Sequence, residues 1–421
     1  MPTSLYQLWQ QQVAAHPGTT ALIDAVAGES FTFAELDADL GPALPRPTGN
    51  TPSFIRQTLA AWRDGIASIP IEQGSAGPPD GLELPRGTAH VKTTSGSTGT
   101  PRYVCFTAAQ LAADADNIVR TMGLTPGRPN IGVISLAHSY GFSNLVLPLL
   151  LHGIPLILGG DPLPGSLRRA LDSLPQSGGT LPGVPAMWRA WHKAACLDPT
   201  QIKTAISAGA PLSLELESTI YHDTGIKVHN FYGSSECGGI AYDRSPTPRP
   251  HQNLVGTPLD GVAISLTPDG CLTVHSAAVA ESIWPPPTPD PLGAGEFRTS
   301  DLAEVSPDGA ITLRGRASDL INVAGRKLDP GTIEAKLASH PSVDHCLVFG
   351  IDSNDPERVQ EIVAIANAGD PSELRSYLAG QLPAWQNVRH WWITPELRPN
   401  TRGKLSRAEW RDRWGSRDQT G

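Results

Sequence analysis

The 421-residue sequence contains no uninterrupted apolar run of the roughly 18 residues that a membrane-spanning helix needs. Its most apolar stretch, 144–160, is broken by two prolines, a histidine and a glycine, so it predicts a buried helix followed by a buried strand. The first twelve residues lack the basic segment and apolar core of a secretory signal. These absences predict a cytoplasmic protein without a membrane span.

Cysteine is also scarce. The five cysteines are scattered and none forms a Cys-x-x-Cys pair, which argues against a disulfide framework or a structural zinc site and fits a reducing cytosol. A net charge of −9 argues against a nucleic-acid partner. The sequence has neither a Walker motif nor the Gly-x-Ser-x-Gly turn of α/β-hydrolases, so neither class is predicted.

The sequence nevertheless has the length and the 39% apolar content for two or three packed units. Short apolar or β-branched runs alternate with helical sequence, which favours an α/β fold with largely parallel sheets. After about Gly256, two Pro-Asp-Gly turns flanked by strand-like runs predict antiparallel hairpins. We expect a large domain of parallel or mixed sheets with helices and a small antiparallel subdomain (1–318), followed by a small α+β domain (319–421).

One polar stretch, TTSGSTG at 93–99, stands between two strand-like runs. Three interpretations fit it when it is considered alone. It is a turn between two strands, a flexible linker, or a phosphate loop in which glycines let the backbone approach an anion and amides and hydroxyls donate to its oxygens. The flanking strands make the linker the weakest of the three.

The longer stretch TTSGSTGTPR resembles the phosphate loop of the adenylate-forming superfamily, which includes acyl-CoA synthetases, aryl-CoA ligases and peptide-synthetase adenylation domains. Five further segments resemble motifs of that family in its order: SAGAPL (207–212), NFYGSSECGG (230–239), RTSDLAEV (298–305), LRGRASDLINVAGRKLDP (313–330) and PNTRGKLSR (399–407). Each segment is a weak signal alone. Six in order make coincidence a poor explanation, and the resemblance covers essentially the whole chain.

The resemblance implies a site for ATP and AMP. The aromatic ring of Tyr232 would stack on adenine, Asp301 would accept both ribose hydroxyls, and Arg316 would reach the ribose or a phosphate. Without the resemblance, Tyr232 fits a buried core position, and Asp301 with Arg316 fits a simple ion pair. The nucleotide-binding residues implied by the resemblance are Thr94, Ser95, Gly96, Ser97, Thr98, Gly99, Gly209, Ala210, Pro211, Tyr232, Gly233, Ser235, Asp301 and Arg316.

Three residues receive catalytic roles from the same resemblance. Lys404 would neutralise charge on the attacking carboxylate and the α-phosphate. Glu236 would bind a Mg²⁺ ion that bridges phosphates. His138 would gate the acyl pocket, with helix capping or core packing as the alternative.

The resemblance also makes the C-terminal domain a mobile one. Asp319 would be the hinge about which it swings. Gly325 and Lys327 would lie on the side of the thiol substrate, although an exposed surface position explains Lys327 equally well.

The sequence departs from the family pattern in several places. Arg102 stands where the phosphate loop normally ends in lysine, Ser235 replaces a threonine, and Ser300 replaces a glycine. The region before the phosphate loop is shorter than in relatives, so a piece of the first subdomain is expected to be missing. Gly238 and Gly239 either open room for a ring or chain in the acid pocket or serve a turn.

The function implied is ATP-dependent activation of a small-molecule carboxylic acid to an acyl-adenylate, followed by transfer to the thiol of coenzyme A or of a carrier protein's phosphopantetheine. A monomer or homodimer is expected. One alternative is a stand-alone amino-acid adenylation enzyme, for which Asp243 is the nearby candidate to meet an ammonium group, although we do not expect it to reach the pocket. The other is a non-catalytic binding descendant, against which the retained motif residues argue.

Overall fold

The computed structural model describes residues 4–44, 46–72, 77–79, 82–94, 102–353, 355, 359–399 and 405–417. Its α-helices are α1 Leu5–Ala15, α2 Phe33–Ala38, α3 Pro52–Arg63, α4 Ala108–Met122, α5 Ser139–Gly141, α6 Leu147–His152, α7 Pro164–Asp172, α8 Pro185–Lys193, α9 Leu214–Thr224, α10 Pro330–Leu337, α11 Pro371–Ala379 and α12 Arg407–Arg417. A π-helical segment, Phe142–Val146, leads into α6, and a 3₁₀ turn spans Ala384–Gln386.

The first strands, up to the end of the parallel region, are β1 Thr20–Asp24, β2 Glu29–Thr32, β3 Thr88–Thr94, β4 Arg102–Thr107, β5 Asn130–Gly132, β6 Leu156–Leu158, β7 Gly179–Gly183, β8 Ile202–Ser207 and β9 Val228–Ser234. The later strands are β10 Gly238–Tyr242, β11 Leu254–Pro258, β12 Val262–Leu266, β13 Cys271–Ser276, β14 Ser282–Trp284, β15 Leu292–Gly293, β16 Glu296–Val305, β17 Ile311–Arg316, β18 Ile321–Val323, β19 Arg326–Leu328, β20 Cys346–Asp352, β21 Gln360–Ala366 and β22 His390–Ile393.

Helix ends follow the local sequence. Helix α4 begins after Thr107, which forms a reciprocal capping box with Gln110, and it ends at Gly123 in the left-handed conformation. Between these caps the helix buries one face, including Leu111 and Ile118. The caps satisfy terminal backbone groups that would otherwise lack partners, so they fix where the helix starts and stops.

The largest sheet joins both kinds of strand pairing. Strands β9, β8, β7, β5, β6 and β1 lie side by side in parallel, and β2 adds an antiparallel edge. On the other side of β9 the order continues β10, β11, β17, β16, β13 and β12, all antiparallel. The two Pro-Asp-Gly turns connect β12 to β13 and β16 to β17. The predicted α/β fold with an antiparallel region is thus confirmed.

Both faces of the parallel region are covered. In β6, Leu156 and Leu158 pack into one core, together with Trp9 of α1, while Ile157 faces the other core, which contains Trp188 and Trp191 of α8. Alternate residues of a strand point to opposite faces, so all three residues of β6 are buried. A strand covered on both faces needs a continuous apolar run, and Leu156–Leu158 is one.

The C-terminal part of the chain forms its own sheet and core. Strands β20 and β21 pair antiparallel, and β22 adds to β21 in parallel. One side of this sheet packs against α10 and α11 through residues such as Ile333 and Leu374. The other side packs against Trp410 of α12. Across the described ranges, no helix is long and apolar enough to cross a membrane.

Candidate active site

The carboxyl ends of the parallel strands bring three of the predicted segments to one edge of the sheet. The segment with His138 follows β5, Gly209–Pro211 follow β8, and Ser235 with Glu236 follows β9. Ligands of open parallel sheets bind outside these strand ends. The side chains of Ser139 and Ser235 meet directly, with 2.8 Å between their hydroxyl oxygens. Two segments 96 residues apart in sequence therefore share one site.

His138 lies at the start of the short helix α5. Its Nδ1 accepts the backbone N–H of Tyr140 at 3.2 Å, so the imidazole caps the helix. The ring is half-buried. The capping role that the sequence left as an alternative is therefore present, and gating of an acyl pocket stays a prediction.

The nucleotide side of the predicted site is a three-residue cluster. The Tyr232 hydroxyl donates to Oδ2 of Asp301 at 2.5 Å, and Nε of Arg316 donates to Oδ1 at 2.9 Å. Asp301 and Arg316 are cross-strand partners in β16 and β17. Burial, followed by the adjacent Asp301 carboxylate, raises the pKa of Tyr232 well above its ordinary value, so the phenol stays neutral and keeps donating.

This cluster orients the Asp301 carboxylate without using all of its capacity to accept hydrogen bonds. Each carboxylate oxygen has two lone pairs and receives one of these two hydrogen bonds, so each keeps the capacity to accept another. The side chain is 16% exposed, while that of Arg316 is 57% exposed. A carboxylate held in this way, beside an accessible guanidinium, is suited to a ligand with two neighbouring hydroxyls and a negative charge.

Glu236 lies in the tight turn between β9 and β10. Its backbone N–H donates to the Ser234 hydroxyl at 3.2 Å, and its carbonyl accepts from Ala280 at 2.9 Å. The side chain is half-buried, and no described residue hydrogen bonds or ion-pairs with its carboxylate. The backbone is thus fixed while the carboxylate oxygens keep their capacity for a hard cation.

The glycines of this turn do not open space. Gly238 has φ +72°, and a Cβ there would lie 2.0 Å from Oδ1 of Asp114. A Cβ on Gly239 would lie 2.4 Å from Leu259, and one on Gly233 would lie 2.6 Å from the Gly238 carbonyl oxygen. Of the two alternatives that the sequence left open, close packing of the turn is therefore the one that the structure supports.

A buried cluster that the sequence did not predict lies behind this turn. Nζ of Lys92 donates to Oδ2 of Asp114 at 3.2 Å and to the Ser143 hydroxyl at 2.9 Å. Ser143 in turn donates to Asp114 at 2.6 Å. The ammonium also lies 4.5 Å from the centre of the Phe106 ring. Both charged side chains are 1% exposed, so the pair is entirely internal.

This Lys92 cluster ties four elements of the site together. Lys92 is in β3, Asp114 in α4, and Ser143 in the π-helical segment that follows His138. The Gly239 N–H approaches the other oxygen of Asp114 at 3.4 Å, which adds the β9–β10 hairpin. A lysine inside the strand that leads to the phosphate loop is the one sequence signal that points to such a cluster.

A second buried network anchors the loop at Gly209–Pro211. Arg249 donates to the carbonyl of Leu212 at 2.7 Å and, through Nε, to Glu217 at 2.8 Å. Gly209 itself has φ +81°, which favours glycine, and is exposed. Ala210 is half-buried and Pro211 exposed. The loop therefore leaves a firmly held base and stands open at the strand ends.

The same network accounts for Asp243. Its carboxylate accepts from Nζ of Lys227 at 2.5 Å and from the Ser245 hydroxyl at 2.6 Å. Burial alone would raise the pKa of Asp243, but the Lys227 ammonium and Ser245 hold it below its ordinary value. Because Lys227 already neutralises this carboxylate, it is not placed to meet a substrate ammonium, in agreement with the sequence-based expectation.

The structure describes the predicted phosphate loop only at its base. Thr94, the last residue of β3, pairs with Arg102, the first residue of β4. Ser95, Gly96, Ser97, Thr98 and Gly99 lie outside the described residues. The base is thus an antiparallel hairpin, and Arg102 starts the returning strand.

The predicted hinge and thiol-side residues lie in the C-terminal part. The Asp319 carboxylate accepts from Nη1 of Arg407 at 2.9 Å. Gly325, with φ +81°, forms the β18–β19 turn, and Lys327 is exposed in β19. Lys404 lies outside the described residues. Tyr232 at the end of β9 thus links Asp301 and Arg316 to the strand-end segments, and Lys327 lies on the surface.

No group of three or more His, Cys, Asp or Glu side chains that could hold a metal occurs within the part of the chain described. A Mg²⁺ ion with mostly phosphate and water ligands needs only one or two carboxylates, and Glu236 fits that requirement.

Comparison with known proteins gives a consistent result. The family described as AMP-binding enzyme matches residues 50–273, and the AMP-binding enzyme C-terminal domain matches residues 332–404. A feruloyl-CoA synthase from an Amycolatopsis species is 26% identical over 95% of this chain and 87% of its own length. A probable 2-succinylbenzoate–CoA ligase from Mycobacterium tuberculosis is 29% identical over 87% of this chain and 96% of its own.

Solved structures show the same fold. ATP-bound MatB from Rhodopseudomonas palustris superposes with a TM-score of 0.84 at 18% identity, covering 98% of this chain and 99% of that one. o-Succinylbenzoate-CoA synthetase (MenE) from Bacillus subtilis, in complex with its acyl-adenylate intermediate, gives 0.81 at 20% identity, covering 96% and 98%.

Proposed function

Because this chain belongs to the family of AMP-binding enzymes, it is an ATP-dependent acid–CoA ligase, and we propose that its acid is an aromatic carboxylic acid without an α-ammonium group. The pairing of Asp243 with Lys227 supports the proposal that the acid has no α-ammonium group. Both curated relatives named above are, by their names, ligases or synthases of aromatic acids.

The Asp301 cluster supports the site proposed for the nucleotide. Asp301 accepts the two ribose hydroxyls, Arg316 donates to the ribose or α-phosphate, and Tyr232 presents its ring to the adenine. Residues 94–99 would donate to the β- and γ-phosphates, and Gly209–Pro211 would flank the adenine. Gly233 and Ser235 complete the site next to Glu236. Bound Mg²⁺ would supply charge neutralisation at the phosphates, with Glu236 as its protein ligand.

In the first half-reaction a carboxylate oxygen of the acid forms a bond to the α-phosphorus, and the bond from that phosphorus to the bridging oxygen breaks. Pyrophosphate leaves with that electron pair, and acyl-adenylate remains. In the second, the thiolate sulfur bonds to the acyl carbon and AMP leaves. Lys404 stabilises the charge on the transferring oxygens, and His138 lines the entry of the acid. Orientation by fixed groups such as Asp301 provides much of the rate.

Several finer features belong to the same proposal. The acceptor is coenzyme A rather than a carrier protein, with Gly325 and Lys327 on its side of the molecule. The C-terminal domain, 319–421, turns about Asp319 between the half-reactions. The enzyme acts in the cytoplasm as a monomer or homodimer.

Pyrophosphate exchange into ATP with a panel of aryl, fatty and amino acids tests the proposal. We expect exchange with aromatic acids and none with amino acids. Exchange with amino acids alone, or with no acid at all, would refute it.

Asp301→Asn tests the nucleotide cluster. Loss of the charged acceptor should raise KM for ATP by about 10- to 100-fold, the equivalent of one charge-assisted hydrogen bond. Asp308→Asn, at an exposed position in the turn between the same two strands, is the matched control and should leave KM unchanged. Equal KM values for the two variants would contradict the role of Asp301.

A further inference from the structure

We propose that Asn50 is a positioning residue for the acid, because its side chain fixes the backbone from which the segment with His138 departs. This inference rests on the proposed function, in which His138 lines the entry of the acid. It is argued from the contacts on either side of His138.

The side-chain amide of Asn50 joins the two loops that follow β5 and β6. Its Nδ2 donates to the Ile134 carbonyl at 3.2 Å and to the Gly160 carbonyl at 2.9 Å. Its Oδ1 accepts from the Leu136 N–H at 2.9 Å. An asparagine amide offers two N–H donors and one carbonyl acceptor, and this side chain uses all of them. One residue thus connects segments that are 84 to 110 residues away in sequence.

These hydrogen bonds continue the strand pairing where the backbone ladder ends. Strands β5 and β6 pair as far as Gly132 and Leu158, and the Gly159 N–H donates to the Gly132 carbonyl at 3.0 Å. Further along, the carbonyls of Ile134 and Gly160 both accept from the Asn50 amide. Backbone polar groups away from water need such partners, so the amide holds the two departing loops together.

Asn50 is itself held in place by its neighbours in the chain. The Pro47 carbonyl before it accepts from the Ile71 N–H at 3.0 Å. Helix α3 begins two residues after it and buries Phe54 in the core. The Asn50 side chain is partly buried between these attachments. It therefore has a firm base from which to fix the loops.

The position of the loop after β5 is carried into the site over three residues. The Asn50 contact at Leu136 comes two residues before His138. One residue after His138, the Ser139 hydroxyl lies 2.8 Å from that of Ser235. His138 is therefore held between two fixed points, and Asn50 supplies the first of them.

Close packing transmits a shift of this backbone to helix α5. The His138 N–H donates to the Ser135 carbonyl at 3.3 Å, and a Cβ on Gly141 would lie 2.0 Å from the same oxygen. A turn packed in this way has no room to absorb a displacement. Loss of the Asn50 contacts should therefore move His138, whereas the Asp301 cluster is built on other strands, β9, β16 and β17.

Asn50→Ala, in the full chain, tests this role by pyrophosphate exchange with the aromatic acid of the panel that the wild type uses fastest. We expect kcat/KM for the acid to fall by about 10- to 100-fold, the effect of a misplacement on the order of 1 Å, with KM for ATP unchanged. Asn50→Asp keeps an acceptor for Leu136 but loses both donors, so it should show the same split. Asn253→Ala and Asn253→Asp, at an exposed asparagine, are the matched controls and should behave as wild type.

Hydrogen exchange, followed by overlapping peptides, tests the anchor without turnover. In Asn50→Ala the Leu136 amide should exchange faster, while the Gly159 amide, which donates to the Gly132 carbonyl, keeps its protection. Should Asn50→Ala fold poorly, Asn50→Asp, which is close to asparagine in size, carries the kinetic test.

Three results would overturn the positioning role: unchanged Leu136 protection in Asn50→Ala, unchanged kinetics with the acid, or equal changes in KM for ATP and for the acid. Absence of pyrophosphate exchange with every acid in the wild type would instead refute the proposed function. The Leu136 measurement needs no substrate, so the two failures are distinguishable.

Discussion

Replacing Lys92 by methionine tests whether the buried Lys92 cluster supports the site. Methionine keeps most of the length of the lysine stem but removes the ammonium, so the Asp114 carboxylate, 1% exposed, loses its counter-charge. Two hydrogen bonds disappear as well, those to Asp114 and to Ser143. The main consequence is an isolated negative charge inside the protein.

The size of the effect follows from that isolation. Removal of one partner from a buried ion pair costs about 3–5 kcal/mol, because the remaining charge is left in a medium of low polarity. Domains are stable by about 5–15 kcal/mol, so the loss is a large fraction of the total. At about 2–4 °C per kcal/mol for a domain of this size class, Lys92→Met should lower the unfolding temperature by about 10 °C.

Differential scanning calorimetry measures this shift in unfolding temperature. Lys193→Met, an exposed lysine at the end of α8, is the control and should not shift the transition. The double variant Lys92→Met/Asp114→Asn should regain most of the loss, because asparagine still accepts from Ser143 and carries no charge. A single variant as stable as the control, or a double variant no better than the single, would show that the reasoning is wrong.

Three further outcomes are expected. Gly238→Ala should lower both stability and the rate of pyrophosphate exchange, because its Cβ would meet the Asp114 carboxylate. Gly225→Ala is the control, since Gly225 also has a positive φ but no atom lies within 4 Å of the added Cβ. In the same two assays it shows the effect of backbone strain without the collision. Burial, followed by the charge of Lys92, holds the pKa of His90 well below its ordinary value. As the pH falls, His90 therefore takes up a proton in the unfolded chain before it does so in the folded protein. Wild-type unfolding temperatures should accordingly fall as the pH drops below about 6.5, and His90→Gln should make that decline shallower between pH 7 and 5. Tyr232→Phe removes a hydrogen bond to Asp301 and should raise KM for ATP by less than Asp301→Asn does, as measured by initial rates of exchange.

The sequence predicted those features that depend on local pattern. Alternation of short apolar runs with helices predicted the α/β fold, and the two Pro-Asp-Gly turns predicted the hairpins β12–β13 and β16–β17. The ion pair between Asp301 and Arg316 could also be predicted, because the two residues flank one hairpin. Short-range turn chemistry and strand pairing are enough to derive such contacts.

Contacts between distant segments were not predictable in the same way. Lys92 and Ser143 are 51 residues apart, and Asp319 and Arg407 are 88 apart. Hydrophobic periodicity shows which face of an element is buried, but it does not identify the partner of a buried charge. A lysine in an apolar strand signals that some partner is needed, since an unpaired buried charge is costly, yet several carboxylates satisfy that requirement equally well on paper.

The two buried networks share an arrangement that bears on how the site works. Asp114 approaches the backbone of Gly239, and Arg249 holds the carbonyl of Leu212, so in each case a buried charged group ends on the backbone of a segment that forms the site. Neither needs to contact the substrate in order to matter. Since these buried charged side chains fix the backbone where each loop begins, substitutions in the two networks should change the orientation of the reacting groups, and so kcat. Substitutions in the Asp301 cluster, the proposed nucleotide site, should instead change KM for ATP. Variants of the Lys92 and Arg249 networks are therefore expected to change mainly kcat, and variants of the Asp301 cluster mainly KM.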